Sequence, residues 1–311
     1  MNDSMPGEIT SASDVCAIAV TYHPDSTFPM RIERILRQVG RLVIVDNGSA
    51  ESEIEMLRGQ ASNPMITLEL NRHNLGIARA LNIGIQRAIA LGFKWALLFD
   101  QDTFIDDGMV RTLLAVHAAF PQRGRLAVVG AGFIDVNAGE QAANPEVAAD
   151  GWEEVESVIT SGSLIPLAVH AAVGPFREEF FIDYVDTEYC FRARASGYRV
   201  IRTRKPLMSH SIGAITRHNV LGIKKWTFNH SAERRYYIAR NNTVLLREYG
   251  DYAFGLWALK GLGRSVRLCK RIVLYEEMKA RKILAVAQGW WHGVRGRMGP
   301  RRNSRVDSSL P

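Results

Sequence analysis

Asp100 and Asp102, one residue apart, are the pair whose spacing most directly suggests chemistry in this chain. They end the apolar run KWALLFDQD (94–102), which has the length and composition of a buried strand. Carboxylates at a strand end can hold a hard cation such as Mg²⁺, which uses one or two carboxylates together with substrate phosphates. Most short Asp-x-Asp sequences are solvated acidic turns, so the prediction of a metal site depends on the strand context.

Three acidic residues in FIDYVDTEYCFR, Asp183, Asp186 and Glu188, could act as a general base. An attacking alcohol needs a carboxylate positioned to take its proton as the new bond forms. The same residues could begin a helix, with Asp186 as its N-cap and Glu188 in its first turn. The two interpretations are compatible, and the residues alone leave open which of the three takes the proton.

Asp46, His210 and Arg240 are further candidates. Asp46 in VIVDNGS ends an apolar run, where a carboxylate can accept hydrogen bonds from a nucleotide, although Asp-Asn-Gly also forms turns. His210 could complete a metal shell, steady a phosphate or be structural. Arg240 belongs to RRYYIARNN, whose arginines and tyrosines could bind pyrophosphate or an acceptor, or pack as an ordinary helix.

Alternating strands and helices must position these residues. Apolar runs predict strands at 15–22, 41–49, 65–71, 94–102, 125–134 and 154–165, and helical spacing predicts helices at 28–39 and 74–92. This pattern is typical of an α/β fold with a mainly parallel sheet covered on both faces, whose carboxyl edge would gather the polar strand ends. Residues 178–203 are interpreted as strand, acidic turn, helix and strand.

The chain divides by composition into regions with different expected roles. We predict a flexible lead over 1–14, an α/β domain over 15–230, a helical region over 231–290 and a basic, flexible tail over 291–311. Residues 251–311 hold 13 Lys and Arg against 4 Asp and Glu, whereas the first 250 residues have a net charge of −2. This distribution argues against a nucleic-acid-binding protein, which more often has positive charge across its main face.

Cysteine usage and the absence of long apolar runs predict a cytoplasmic location. The three cysteines are scattered and odd in number, which suits a reducing compartment better than a disulfide framework. The N-terminal residues lack the pattern of a secretory signal, and no apolar run reaches the about 18 residues needed to span a bilayer.

Seven segments, taken in order, resemble the family 2 glycosyltransferases of the GT-A fold, and in particular the bacterial rhamnosyltransferases that use dTDP-L-rhamnose. They cover about residues 15–245 and are VTYHP, VDNGS, NLGIARALNIGI, LLFDQDT, FFIDYVDTEYCFRARASGYRV, HSIG and YYIARN. The resemblance implies a Rossmann-like mixed sheet, a nucleotide-sugar-binding catalytic domain and an inverting, single-displacement transfer.

The resemblance also implies roles for individual residues. Those near the nucleotide sugar would be Thr21, Tyr22, Asp46, Asn74, Arg79, Asp100 and Gln101. Asp100 and Asp102 match the metal motif, with His210 beside them, and Asp186 matches the base. The acceptor or phosphate candidates are Asp183, Glu188 and Arg240.

Cofactor and partners follow from the same resemblance. It implies Mg²⁺ or Mn²⁺, dTDP-L-rhamnose as donor, and a saccharide or lipid-linked saccharide acceptor in the synthesis of a cell-surface polysaccharide such as an O-antigen. The basic, tryptophan-containing C-terminus favours peripheral contact with the membrane, and the alternative is a helix pair that packs on the domain or forms a homodimer. Two other functions stay open: the same fold with a UDP-hexose donor, and a non-catalytic nucleotide-sugar-binding scaffold.

Overall fold

The computed structural model describes residues 11–135, 151–210, 215–220, 223–253 and 268–301, with the backbone alone for 215–220, 223–228 and 251–253. The strands are β1 Val15–Thr21, β2 Arg41–Asp46, β3 Ile66–Leu70, β4 Trp95–Asp100, β5 Phe104–Ile105, β6 Leu126–Asp135, β7 Trp152–Glu154, β8 Ser163–Pro166, β9 Arg199–His210, β10 Ile215–Val220 and β11 Ile223–Phe228. The helices are α1 Phe28–Leu36, α2 Glu51–Gln60, α3 Ile77–Ala90, α4 Met109–Ala119, α5 Leu167–Val173, α6 Val185–Ala195, α7 Ala232–Ala253, α8 over residues 268–275, and α9 Lys279–Val294.

One mixed sheet forms the centre of the α/β region, in the order β3-β2-β1-β4-β8-β6-β9-β5, with β7 also pairing with β9. The β1–β2, β1–β4, β2–β3 and β6–β9 pairs are parallel, and β8 runs antiparallel to both of its neighbours. β10 and β11 form a separate hairpin. The predicted mainly parallel sheet is therefore confirmed.

Both faces of the sheet are covered, because successive side chains of a strand point to opposite sides. Ile18 and Val43 belong to a core cluster that includes residues of α3 and α6. Ala17 and Leu42 belong to a second cluster with residues of α1 and α4. Strands buried on both sides require continuous apolar runs, which explains why they were recognisable in the sequence.

The strand register gathers the polar strand ends at one edge. Thr21 pairs with Asp46, and its neighbour Val20 pairs with Asp100. β5 follows the Asp-x-Asp turn directly and pairs with β9, with Phe104 opposite Ser209, the residue before His210. The two-residue strand β5 therefore brings the end of β9 to the metal-motif aspartates.

Two glycines allow α9 to pack closely against α7. A Cβ atom on Gly289 would lie 2.4 Å from the carbonyl oxygen of Tyr236, and one on Gly293 would lie 2.7 Å from that of Arg240. Contacts advance along both helices in the same direction, so the two helices run parallel. No helix in the described ranges is long and apolar enough to cross a bilayer.

Replacing Gly289 by alanine should destabilise the protein by about 1–3 kcal/mol, because the backbone of α7 cannot yield easily to the added methyl group. Gly59 is the matched control: it lies in α2 with open space around it, and the same substitution there should stabilise by about 0.5–1 kcal/mol. Urea denaturation of the two variants measures both effects. Changes of equal sign would contradict the close packing of α9 on α7.

The structure differs from the sequence-based prediction in three places. Residues 178–182, predicted as a strand, form a 3₁₀ turn at Glu178–Phe180 followed by a loop, and the predicted strand at 154–165 is split into β7 and β8. The predicted start of the tail at residue 291 falls inside α9, which continues to Val294. The chain after α9 is bound to the domain, since the N–H of Gly299 donates to the carbonyl oxygen of Glu179. Residues 1–10 of the predicted lead and 302–311 of the predicted tail lie outside the described residues.

Candidate active site

Asp100, Asp102 and His210 form a cluster of three potential metal ligands, each with one ligand atom within 4.8 Å of the others. Nδ1 of His210 lies 3.2 Å from Oδ1 of Asp102, and its Nε2 lies 3.8 Å from Oδ2 of Asp100. Asp100 ends β4 and His210 ends β9, so the sheet itself determines their separation. The three residues predicted from sequence to bind metal are therefore brought together.

The unsatisfied oxygen of Asp102 fits a divalent cation. Oδ1 of Asp102 is buried, and apart from its contact with Nδ1 of His210 at 3.2 Å it has no hydrogen-bond partner in the described part of the chain. Buried polar atoms are nearly always satisfied, so this one has capacity for another ligand. Two carboxylates and an imidazole are donors that Mn²⁺ accepts, and the carboxylates alone would suit Mg²⁺.

The charged groups of the cluster shift one another's pKa values. Burial raises the pKa of Asp100 to about 6; His210 opposes this shift, and the charges of Asp102 and Asp186 add to it. Burial alone would lower the pKa of His210, but the adjacent carboxylates of Asp102 and Asp100 outweigh it and raise that pKa. A cation bound among these acids, in addition to the imidazole of His210, would relieve their mutual repulsion.

Thr160 and Ser161 connect Asp186 to the metal-motif turn. The backbone N–H of Thr160 donates to Oδ2 of Asp186 at 3.1 Å. The next residue, Ser161, accepts from the N–H of Asp100 at 3.3 Å, and its hydroxyl lies 2.5 Å from that of Thr103. Two consecutive residues therefore connect Asp186 to the metal-motif turn, and the charge of Asp186 acts on the pKa of Asp100.

Asp186 is suited to accept a proton. It is the second residue of α6, which begins after Tyr184 in the left-handed region, so Asp186 is not the N-cap that the sequence suggested. Burial raises the pKa of Asp186 above its ordinary value, although the N–H groups of Thr187 and Thr160 oppose the shift. A raised pKa makes a carboxylate a stronger base, and the two N–H groups fix its orientation.

The loop before Asp186 has an unusual backbone that α7 holds in place. Phe181, Asp183 and Tyr184 all have φ between 62° and 66°, the left-handed region that non-glycine residues rarely adopt. The side-chain amide of Asn241 donates to the carbonyl oxygens of Phe180, Ile182 and Asp183 at 2.8–3.0 Å. The conformation of this loop therefore depends on Asn241, a residue about 60 positions later in the chain.

Arg234 is a cation at this site that the sequence analysis did not select. Its Nε lies 3.2 and 3.3 Å from the two carboxylate oxygens of Asp183. Its charge also acts to lower the pKa of Asp100, which places it within electrostatic reach of the metal cluster. A guanidinium there could bind a phosphate.

Asp46 lies at the same edge of the sheet, and its carboxylate accepts hydrogen bonds from neighbouring protein groups. It is fully buried and accepts from the hydroxyls of Thr21 and Ser49 and from the N–H groups of Gly48 and Ser49, at 2.5–3.0 Å. A Cβ on Gly48 would lie 2.7 Å from the backbone of His73, so this turn packs directly on the next loop. Asp46 and Thr21 therefore shape a turn beside the site, and their direct contact with a nucleotide stays a prediction.

Four other residues that were predicted to bind the nucleotide sugar have different surroundings. The amide of Gln101 accepts from the N–H of Tyr22 at 2.7 Å and donates to its carbonyl oxygen at 3.1 Å, which joins the metal-motif turn to the end of β1. Asn74 accepts from the side chain of Asn47 at 2.9 Å. Arg79 is half-exposed, 3.5 Å from Glu178. Their roles in donor binding stay predictions.

Glu188 and Arg240, which were predicted as acceptor or phosphate candidates, both have partners within the protein. Glu188 is fully buried and binds Arg192 and the hydroxyl of Tyr249, both at 2.9 Å. Arg240 is fully buried, and its guanidinium donates to the carbonyl oxygens of Glu179 and Phe180. Arg240 therefore holds the segment before the 181–184 loop, and Glu188 joins α6 to α7; their contact with an acceptor or a phosphate stays a prediction.

Comparison with known proteins identifies the family. The profile of glycosyl transferase family 2 matches residues 16–157. Over 249 residues the chain is 30% identical to the dTDP-rhamnosyl transferase RfbF of Shigella flexneri, a match that covers 76% of this chain and 81% of the relative. The chain therefore belongs to glycosyl transferase family 2, and the resemblance to rhamnosyltransferases is confirmed.

Solved structures confirm the GT-A fold class. The crystal structure of S. aureus TarS 1–349 matches with a TM-score of 0.59 at 14% identity, over 91% of this chain and 81% of that one. The mannosyltransferase PcManGT from Pyrobaculum calidifontis, in complex with GDP-Man and Mn²⁺, matches with a TM-score of 0.53 at 15% identity, over 93% and 91% of the two chains. At these identities the similarity concerns the fold alone.

Proposed function

We propose that this glycosyltransferase is metal-dependent and inverting, and that it transfers L-rhamnose from dTDP-L-rhamnose to a saccharide or lipid-linked saccharide acceptor of a bacterial surface polysaccharide. The observation that carries the proposal is the connection of Asp186, through Thr160 and Ser161, to the turn that holds the Asp100, Asp102 and His210 cluster. The relative at 30% identity supports rhamnose and dTDP as the donor chemistry.

The residues divide the reaction between a leaving-group side and a base side. A divalent cation held by Asp100, Asp102 and His210 would stabilise the charge that develops on the departing diphosphate. Asp186 accepts the proton of the acceptor hydroxyl as this oxygen attacks the anomeric carbon from the opposite side. One base is sufficient, because a single displacement forms no covalent intermediate and inverts the anomeric configuration.

Arg234 supports the leaving-group side. With Asp183 as its partner in the absence of donor, its guanidinium is held within electrostatic reach of the metal cluster and can donate to a phosphate oxygen.

We further propose that the protein works in a reducing compartment, the cytoplasm. In support, Cys16 and Cys190 are buried as free thiols. Free thiols are typical of proteins in a reducing compartment.

Donor turnover tests the proposal. We expect release of dTDP from dTDP-L-rhamnose to exceed release of UDP from UDP-glucose or UDP-galactose by at least about tenfold, since the site must bind a different base and sugar. EDTA should suppress the release, and Mn²⁺ or Mg²⁺ should restore it. Faster turnover of a UDP-hexose would overturn the choice of donor, and no turnover of any donor with any saccharide acceptor would favour a scaffold.

A further inference from the structure

Large exposed hydrophobic side chains are concentrated on the C-terminal helices. Of thirteen in the described residues, eight lie between Val273 and Val294. On α9, exposed apolar residues recur at intervals of three and four and so lie on one side of the helix. This C-terminal apolar face consists of Ile283, Leu284, Ala287, Trp290, Trp291 and Val294.

The C-terminal apolar face is not the side of α9 that packs on the protein. The buried side consists of Lys282, Ala285, Val286, Gly289 and Gly293. At 100° per residue, Leu284 and Trp291 point away from that side, and they are 70% and 54% exposed. A surface helix normally has one apolar stripe, and a second one that faces solvent marks an interaction surface.

α9 is fixed in this orientation. Besides the glycine contacts with α7, the hydroxyl of Tyr236 lies 2.7 Å from Nδ1 of His292. Glu276, which directly follows α8, is buried between Arg235 and Lys282. Its Oε2 lies 2.8 Å from Nζ of Lys282. Because these contacts fix the rotation of the helix, the C-terminal apolar face is held away from α7, and the described part of the chain leaves it exposed.

Cations border the C-terminal apolar face, and acids are nearly absent. Lys279, Arg281 and Arg295 are exposed on α9, and the guanidinium of Arg295 lies 4.0 Å from the ring centre of Trp291. Within residues 268–301 the acids are Glu276, which is buried, and Glu277. Tryptophan and aliphatic side chains flanked by cations are the composition that binds the interface of an anionic bilayer.

We infer that the C-terminal apolar face docks on an anionic lipid surface. Trp290 and Trp291 lie at headgroup depth, and Arg281 and Arg295 contact lipid phosphates. A second copy fits this surface poorly, because a two-fold contact would bring the same cations together, and within residues 268–301 Glu277 is the only exposed acid that could pair with them. Docking rests on the proposed function only in that it would bring the enzyme to a lipid-linked acceptor.

Co-sedimentation with vesicles tests the inference on the full chain, without donor or acceptor. Wild-type protein should bind vesicles of phosphatidylglycerol and phosphatidylcholine at low salt, and binding to phosphatidylcholine alone should be much weaker. The double variant Leu284→Ser, Trp291→Ser should need at least about tenfold more lipid for half-binding. The double variant Arg281→Glu, Arg295→Glu should lose the preference for phosphatidylglycerol.

Matched controls separate this result from a general loss of hydrophobicity or charge. Ile89→Ser with Leu91→Ser removes two exposed apolar side chains of α3 and its end, and Arg111→Glu with Arg125→Glu reverses two exposed cations elsewhere. Both controls should bind vesicles like wild type, and all variants should keep wild-type donor hydrolysis, so failure of docking is distinguishable from failure of the proposed reaction. Wild-type vesicle binding by the Leu284→Ser, Trp291→Ser variant would overturn the inference, as would a dimer in light scattering that this variant abolishes.

Discussion

Replacing Asp186 by asparagine is expected to lower kcat by about 10²–10⁴-fold while donor affinity stays within about twofold of wild type. Asparagine has nearly the same shape and can still accept from one of the N–H groups of Thr160 and Thr187, so the loop should keep its conformation. It cannot take the proton of the acceptor hydroxyl. Steady-state transfer kinetics measure kcat, and calorimetry with dTDP-L-rhamnose measures donor affinity.

Glu188→Gln is the control for this prediction, since it removes a carboxylate only two residues away. Glu188 is buried and paired with Arg192, so its loss should destabilise the protein by about 1–3 kcal/mol. Activity per folded molecule should remain close to wild type at a temperature where the variant is folded. A fall in donor affinity as large as the fall in kcat of the Asp186 variant would show that Asp186 binds the donor and is not the base.

The sheet could be predicted from sequence because burial on both faces leaves a strong local signal. The strands β1, β2 and β4 are apolar runs that end in polar residues, and their parallel arrangement places those ends at one edge. Convergence of Asp46, Asp100 and Asp102 follows from this arrangement alone. The contribution of His210 depends on β5, a strand of two residues that has no detectable pattern of its own.

The loop before Asp186 could not be predicted, because distant contacts determine its conformation. EEFFI has the composition of a strand, yet Asn241 and Arg240 bind the carbonyl oxygens of this segment and stabilise left-handed conformations at Phe181 and Asp183. Residues in such conformations cost about 1–3 kcal/mol each, and only tertiary contacts can offset this strain. A local pattern contains no information about a partner 60 residues away.

The residues alone could not decide among the acidic and basic candidates, for a related reason. Residues 186 and 188 are separated by 200° around a helix, so only one of them can face the site. Likewise Arg234 and Arg240 are separated by 600°, which is equivalent to 120° between their directions. The sequence reveals these angles but not which side of α6 or α7 faces the cleft, and the packing of both helices decides it.

The second large effect is expected for Asp102→Asn, which should raise the dissociation constant for Mn²⁺ at least about tenfold and lower transfer at a fixed Mn²⁺ concentration by about 10²-fold. The amide keeps one oxygen but loses the charge that a divalent cation requires. Electron paramagnetic resonance of unbound Mn²⁺ gives the affinity independently of activity. Asp107→Asn is the matched control, because it removes an exposed carboxylate outside the cluster and should change neither quantity.

Stability without metal separates loss of a ligand from loss of structure in this variant. In the absence of a cation, the charge of Asp102 raises the pKa of its buried neighbour Asp100, so the two carboxylates repel each other. Removing that charge relieves this repulsion but also weakens the pairing of Asp102 with His210, so the melting temperature in EDTA should change little, while Mn²⁺ should raise it less than in wild type. A melting temperature that falls in EDTA, with Mn²⁺ affinity intact, would mean that Asp102 stabilises the turn and does not hold the metal.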